Sequence, residues 1–255
     1  MSEKYKGHGL GNQFEPLKYM RKVERKVRMS DDLNPIRDRS GAEYTDSLQG
    51  LESTLKHVAG LPIKTVIDLG AGSSRAIAQI ARSKYGNGLA FKGTGILFDP
   101  AIEKHIGWDN YRLTPAETMK GFKKASVGGF ISVFGPLTYS NHSGLVMSRA
   151  HELLVPHGII KGCMSLYAAA ALPDKTKIDE ESSERTKQLE LFLKQNGYGF
   201  VFRNRDYTSE EHGKGTDRIF LAIKPSRRDE DLNPLAQMIM DEDLETKEAM
   251  EAELS

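Results

Sequence analysis

The chain predicts an α/β protein built on a seven-stranded, mostly parallel sheet with helices on both faces and an antiparallel last strand. Three observations lead there. The first is the stretch Val66-Ile67-Asp68-Leu69-Gly70-Ala71-Gly72-Ser73-Ser74-Arg75. Its β-branched, apolar run stops at an acidic residue, makes a Gly-x-Gly turn and continues into a helical pattern of Ile77, Ile80 and Ala81. The second is a regular alternation of strand and helix patterns downstream of it. The third is the end of that alternation, where two β runs, Phe200 to Arg203 and Ile219 to Ile223, are joined only by the polar stretch Asn204 to Asp217. A connection without a helix implies an antiparallel hairpin, because parallel neighbours need a longer crossover.

The elements follow in order. Residues 1–15 are polar and Gly/Lys-rich and read as an arm. Leu17, Met20, Val23 and Val27 have helical spacing, with Lys18, Arg21, Lys22, Arg25, Lys26 and Arg28 between them. Such a basic amphipathic helix either meets RNA, an acidic partner or a membrane surface, or docks its apolar stripe on the body and leaves its charges in water. Asn34-Pro35 marks a turn, and a helix is expected from about Asp46 to Val58, ended by Gly60 and Pro62. Strand one spans Thr65 to Leu69 and leads into a helix from Ser74 to Lys84. Strand two is Lys92 to Phe98, closed by Asp99-Pro100 ahead of a helix at Ala101. A short strand surrounds Tyr111 to Leu113, with a helix from Ala116 to Lys123 after it. Strand four, Gly129 to Phe134, is broken by Gly135-Pro136. A helix covers Leu145 to Leu154, Pro156-His157-Gly158 turns out of it, and strand five is Ile159 to Ser165. Residues 168–180 read as a loop or lid, and a helix from Ser183 to Asn196 is capped by Gly197.

Composition bounds the rest. With 255 residues, 38% hydrophobic and 28% charged, the chain has the make-up of a globular protein with polar extensions. The net charge of +1 makes no case for nucleic acid or membrane from the whole molecule, but the ends are oppositely biased. Residues 1–40 carry 10 Lys/Arg against 6 Asp/Glu, and residues 226–255 carry 3 against 10. Three regions are expected: a basic arm and helix at 1–45, a ligand-binding domain at 46–225, and an acidic tail at 226–255. The tail is either a partner-binding helix starting at Asn233-Pro234 or a disordered acidic segment. Cys163 is the only cysteine, so no internal disulfide forms, which with the absence of a signal segment points to the cytoplasm. The seven histidines fall at no zinc spacing, and neither G-x-S-x-G nor a P-loop motif is present.

The glycine turn carries the chemistry. Gly70 and Gly72 let the backbone turn sharply and approach a ligand, and the following helix points its free N–H groups at the turn. A dinucleotide fingerprint would place glycine at Arg75 and would not call for an acid at Asp68. These residues resemble motif I of class I S-adenosylmethionine-dependent methyltransferases, roughly h-h-D-x-G-x-G-x-G, with Ser74 in place of the third glycine. The terminal hairpin resembles the reversed seventh strand of the same family. The resemblance runs from about residue 45 to about residue 225 and implies a three-layer Rossmann-like sheet with S-adenosylmethionine as cofactor. It implies Asp68, Gly70, Ala71, Gly72 and Ser73 at the methionine end, and Asp99 with Pro100 at the ribose. Asp99 is alternatively an N-cap for the helix at Ala101. Thr114-Pro115-Ala116-Glu117 stands where the family often has Gly-Asp-Ala-Glu near the adenine, with Pro115 in place of the acid and Thr114 or Glu117 as its substitute, although Glu117 also suits a solvated first helical turn. The resemblance implies Phe134 and Gly135 at the cofactor too, at the start of the segment where the family places substrate-facing residues.

The segment Phe134 to His142 contains neither Asn-Pro-Pro-Tyr nor Pro-Cys, so DNA amino-methylation and pyrimidine C5 methylation through a cysteine are disfavoured. Tyr139 and His142 are the candidates for a catalytic role, His142 as a general base, each against a plain alternative as a core-flanking aromatic and an exposed loop histidine. The expectation is methyl transfer to an oxygen or nitrogen of an acceptor that the sequence does not name. An inactive methyltransferase-fold scaffold or regulatory binding protein is the alternative from another class. An NAD-dependent oxidoreductase is disfavoured by Asp68, Arg75 and the hairpin.

Overall fold

The computed structural model describes residues 39–95, 100–139, 143–165, 186–209, 213–227 and 229–255. The basic helix at Leu17 to Val27, the Asn34-Pro35 turn, Asp99, His142 and the 168–180 lid all lie outside these residues. The buried run after Lys64 forms β1 (Thr65–Leu69), and the helical pattern behind the glycines forms α3 (Arg75–Arg82), preceded by α1 (Gly41–Leu48) and α2 (Glu52–Ala59). There follow β2 (Ala90–Gly95), α4 (Ala101–His105), β3 (Tyr111–Leu113), β4 (Val127–Val133), α5 (Pro136–Tyr139), α6 (Ser143–Leu153) and β5 (Leu154–Ser165). Residues 186–195 are helical (α7), and β6 (Gly199–Ser209), β7 (Gly213–Ile223) and α8 (Asn233–Leu254) complete the chain.

The strands assemble in the order β3-β2-β1-β4-β5-β7-β6. Strands β1 to β5 pair in parallel, and β7 is antiparallel to both of its neighbours. The expected fold class is therefore the observed one. Alternate residues of each strand feed separate cores, since side chains point to opposite faces with a period of two. Val66, Ile131, Cys163 and Ile219 pack with α1, α2, α3 and α8, whereas Ile67, Phe130, Ile160 and Phe220 pack with α6 and α7. Asp68, Lys161 and Asp217 share the parity of the first set, so three ionisable groups project toward the layer that holds α1 and α8.

Four expectations are corrected. The helix expected over Asp46 to Val58 is two helices, broken at Gln49 (φ 52°) and Gly50 (φ 90°). A Cβ on Gly50 would stand 1.8 Å from the carbonyl oxygen of Asp243, so the close approach of α8 requires glycine and forces the break. No helix forms over Ala116 to Lys123. Thr114 Oγ1 instead accepts from the Lys120 N–H at 3.0 Å, and the segment is a series of turns with Met119 at φ 39°. Pro156-His157-Gly158 is a bulge inside β5 rather than a free turn, with His157 at φ 61° and five residues of β5 spanning two of β4. The stretch Asn204 to Asp217 is no loop, because β6 and β7 stay paired out to Ser209 and Gly213.

The acidic C-terminal segment is a 22-residue helix integrated into the body. Asp243 is fully buried: Oδ1 accepts from the Ser53 and Thr54 N–H groups at 2.6 and 3.2 Å, and Oδ2 accepts from Lys161 Nζ at 2.6 Å. Thr54 Oγ1 also donates to Oδ2, and Lys161 Nζ donates to Gly50 O at 2.8 Å. Leu51, at the N-cap of α2, has no capping side chain, so a carboxylate from 190 residues away supplies the cap.

Candidate functional site

The end of β1 is held in place by its neighbours. The Ala71 N–H donates to Thr94 O at 2.9 Å and Thr94 Oγ1 donates to Asp68 O at 3.2 Å, tying the turn to β2. Gly70, Gly72 and Ser74 have φ of 77°, 53° and 66°, so all three alternate positions of the motif lie in the left-handed region. A Cβ on Gly70 would come within 2.8 Å of Pro136 Cδ, and one on Gly135 within 2.4 Å of Leu69 O. The segment after β4 thus lies directly against the glycine turn. Phe134 takes φ 48° there, with its N–H donating to Cys163 O at 3.0 Å. Positive φ at a non-glycine residue costs of the order of 1–2 kcal/mol, a cost the surrounding packing must offset.

Two polar atoms at this place have no partner among the described residues. Asp68 is 1% exposed; Oδ2 accepts from the Tyr44 hydroxyl at 2.8 Å, while Oδ1 is buried and unsatisfied. Burial raises its carboxyl to about 7, against the lowering effects of the Tyr44 hydroxyl and of Arg39. Ser74 Oγ is likewise buried without a partner. The Arg39 guanidinium lies 5.2 Å from the centroid of the Phe134 ring, and it forms no ion pair with a described residue. A buried acceptor at the end of β1 and a half-buried guanidinium over Phe134 match a zwitterion such as the amino-acid end of S-adenosylmethionine.

The other expected residues are placed as follows. Ala71 and Ser73 are buried within the turn, and the Arg75 N–H reaches Ser73 Oγ at 3.4 Å. Pro100 is exposed at the start of α4. Thr114 is buried, its N–H bonded to Gly95 O at 2.8 Å and its hydroxyl holding the turn to Lys120. Ala116 and Glu117 are buried beside it. Tyr139 is the last residue of α5, four residues beyond Gly135. Asp68, the glycines and Phe134–Gly135 are brought together; the Thr114–Glu117 turn stands at the far side, beyond β2. Sequence reasoning missed Tyr44 and Arg39. Their signal was faint: an aromatic on the apolar stripe of α1 and an arginine directly before its Ser40 cap.

No protein-family model matches the chain. Solved structures of S-adenosylmethionine-dependent methyltransferases share its fold. The phosphoethanolamine N-methyltransferase 2 of Haemonchus contortus, in complex with S-adenosyl-L-methionine, superposes with a TM-score of 0.51 at 15% identity, covering 86% of this chain and 61% of that one. The plantazolicin methyltransferase BpumL in complex with SAH also gives 0.51, at 10% identity over 82% and 98% of the two chains. The YcgJ protein of Bacillus subtilis gives 0.51 at 12% identity over 71% and 99%. At such identities the likeness is one of fold. Among curated proteins, a lipoyl synthase of Buchnera aphidicola subsp. Schizaphis graminum is 34% identical over 107 residues, 41% of this chain. The chain spans only a third of that protein's length, too little to bring its activity across. No described helix is long and apolar enough to cross a membrane.

Proposed function

We propose that the protein is an S-adenosylmethionine-dependent methyltransferase acting on an oxygen or nitrogen of its acceptor. The observation that carries this reading is the unsatisfied Oδ1 of Asp68, buried at the end of β1 beside a turn with three left-handed residues. A ligand ammonium supplies the missing donor, and Arg39 pairs with the carboxylate of the same ligand. Asp99 and Pro100 are assigned to the ribose, and Ala116 and Glu117 to the adenine side. The cofactor supplies an activated methyl group. The chain's own task is to orient it and exclude water, which accounts for a site without an evident nucleophile.

The test is calorimetric titration with S-adenosylmethionine, S-adenosylhomocysteine and NAD in parallel. Micromolar binding of the two sulfur ligands and none of NAD is expected. Asp68→Asn and Arg39→Ala each weaken it by about 10- to 100-fold, the worth of one charge-assisted bond. A folded protein that binds neither sulfur ligand would sink the proposal and leave a scaffold with this fold.

A further inference from the structure

A second orphaned carboxylate stands on the same face of the sheet. Asp217 is 1% exposed and pairs in register with Ser165, the last residue of β5, at the carboxyl end where open α/β sheets place their ligands. Its Oδ2 accepts from Arg205 at 2.9 Å, and Arg205 also pairs with Asp46 on α1. Its Oδ1 is buried with no partner among the described residues. Three strand spacings, about 14 Å, separate β7 from β1, and the Phe134–Pro136 segment after β4 lies between them. Asp217 and the glycine turn thus flank the carboxyl end of β4 from its two sides.

We propose that Asp217 receives the proton of a protonated amine acceptor, so that the methyl group goes to nitrogen. The inference rests on the methyltransferase reading and deepens it. The ammonium N–H donates to Oδ1 and passes its proton there. The freed lone pair forms the N–C bond, the C–S bond breaks with its electrons going to sulfur, and the sulfonium becomes a neutral thioether. Asp217 returns the proton to water when product leaves. Burial raises this carboxyl to about 6, with Arg205 and Arg39 acting to lower it and Asp46 to raise it. An alkyl ammonium, at about 10, is within reach of such a base. A hydroxyl, which holds its proton far more tightly, is not. The matching favours amines over alcohols.

The experiment presents isotope-labelled S-adenosylmethionine with primary amines and their alcohol isosteres, butylamine with butanol and phenethylamine with phenethyl alcohol, and reads products by mass spectrometry. Methylated amine is expected. Asp217→Asn lowers the rate by about 10²- to 10⁴-fold while S-adenosylhomocysteine affinity and the thermal melt stay unchanged. Asp217→Glu restores part of the rate, and Asp206→Asn, which alters an exposed carboxylate on the same ribbon, leaves it unchanged. Preference for the alcohols, no amine product from protein that binds S-adenosylhomocysteine, or full activity in Asp217→Asn overturns the inference. Protein that does not bind S-adenosylhomocysteine at all removes the methyltransferase reading, and this inference falls with it.

Discussion

Ser74 sits at φ 66°, a conformation that suits glycine, and it stands where the family pattern has its third glycine. The backbone of the motif is thus kept while its usual residue is not. The strain belongs to the same turn that leaves Asp68 Oδ1 unsatisfied, and both mark a place shaped for something other than the free chain. The carboxyl of Asp68 carries a pH consequence. Its folded value is raised to about 7 by burial, so its contribution to stability is fully present below the ordinary carboxylate value and is lost as pH rises through about 7. Tyr44 and Arg39 are the groups that face it. A cation beside it favours the ionised form. Binding of S-adenosylhomocysteine near neutrality is therefore expected to release a fraction of one proton and to tighten as pH rises from about 6 to about 8. Calorimetry at pH 7 in phosphate and in Tris reads this as a buffer-dependent enthalpy, and the dependence disappears in Asp68→Asn. Equal enthalpies in both buffers for the unaltered chain contradict the assignment.

At the scale of elements, the Lys161–Asp243 pair decides how α2 and α8 are joined to the sheet. Both side chains are 0% exposed, and their bonds tie β5 and α8 to each other, to the start of α2 and to Gly50 just before it. Removing one partner leaves an uncompensated buried charge, so Asp243→Ala or Lys161→Met is expected to cost about 3–5 kcal/mol. The double variant Lys161→Met, Asp243→Leu replaces both charges with apolar volume and should recover much of that loss, although α2 stays uncapped. Thermal melts of the three variants give the answer, and a double variant no better than the worse single one would deny that isolated charge is the cause. None of this was legible in sequence. The strand and helix patterns of β1, α3 and the terminal hairpin were, because each rests on local periodicity and turn chemistry. What failed depends on contacts across the chain. The break at Gly50 answers to Asp243, the turns after Leu113 to the Thr114 hydroxyl, and the long ribbon to cross-strand pairing of polar residues without apolar alternation. In the site, Asp68 and the glycines could be read from their motif. Tyr44, Arg39 and Asp217 could not, since each is singled out only by what tertiary structure sets beside it.

For the molecule as a whole, α8 closes one face of the sheet on which both orphaned carboxylates lie. Its Ala236, Ile239, Met240, Met250 and Leu254, with Leu232 before it, join the same buried cluster as Tyr44, Leu48 and Ile77. Lys247 of α8 further pairs with Asp46 at 2.8 Å, on the carboxylate that also takes Arg205, so α1 is steadied by α8 as well as by β6. The helix that carries Tyr44 to Asp68 is thus positioned by the C-terminal segment, and cofactor binding should depend on residues remote from the cofactor. A chain stopped after Asp231 is expected to lose its cooperative thermal transition and, with it, affinity for S-adenosylhomocysteine. Adding a peptide of residues 232–255 in trans should return both together, because the missing surface and the buried carboxylate partner of Lys161 arrive on the same element. A truncated chain that melts cooperatively and binds as tightly as the full one would show that α8 only covers a domain already complete, and would separate the order of α1 from the helix packed against it.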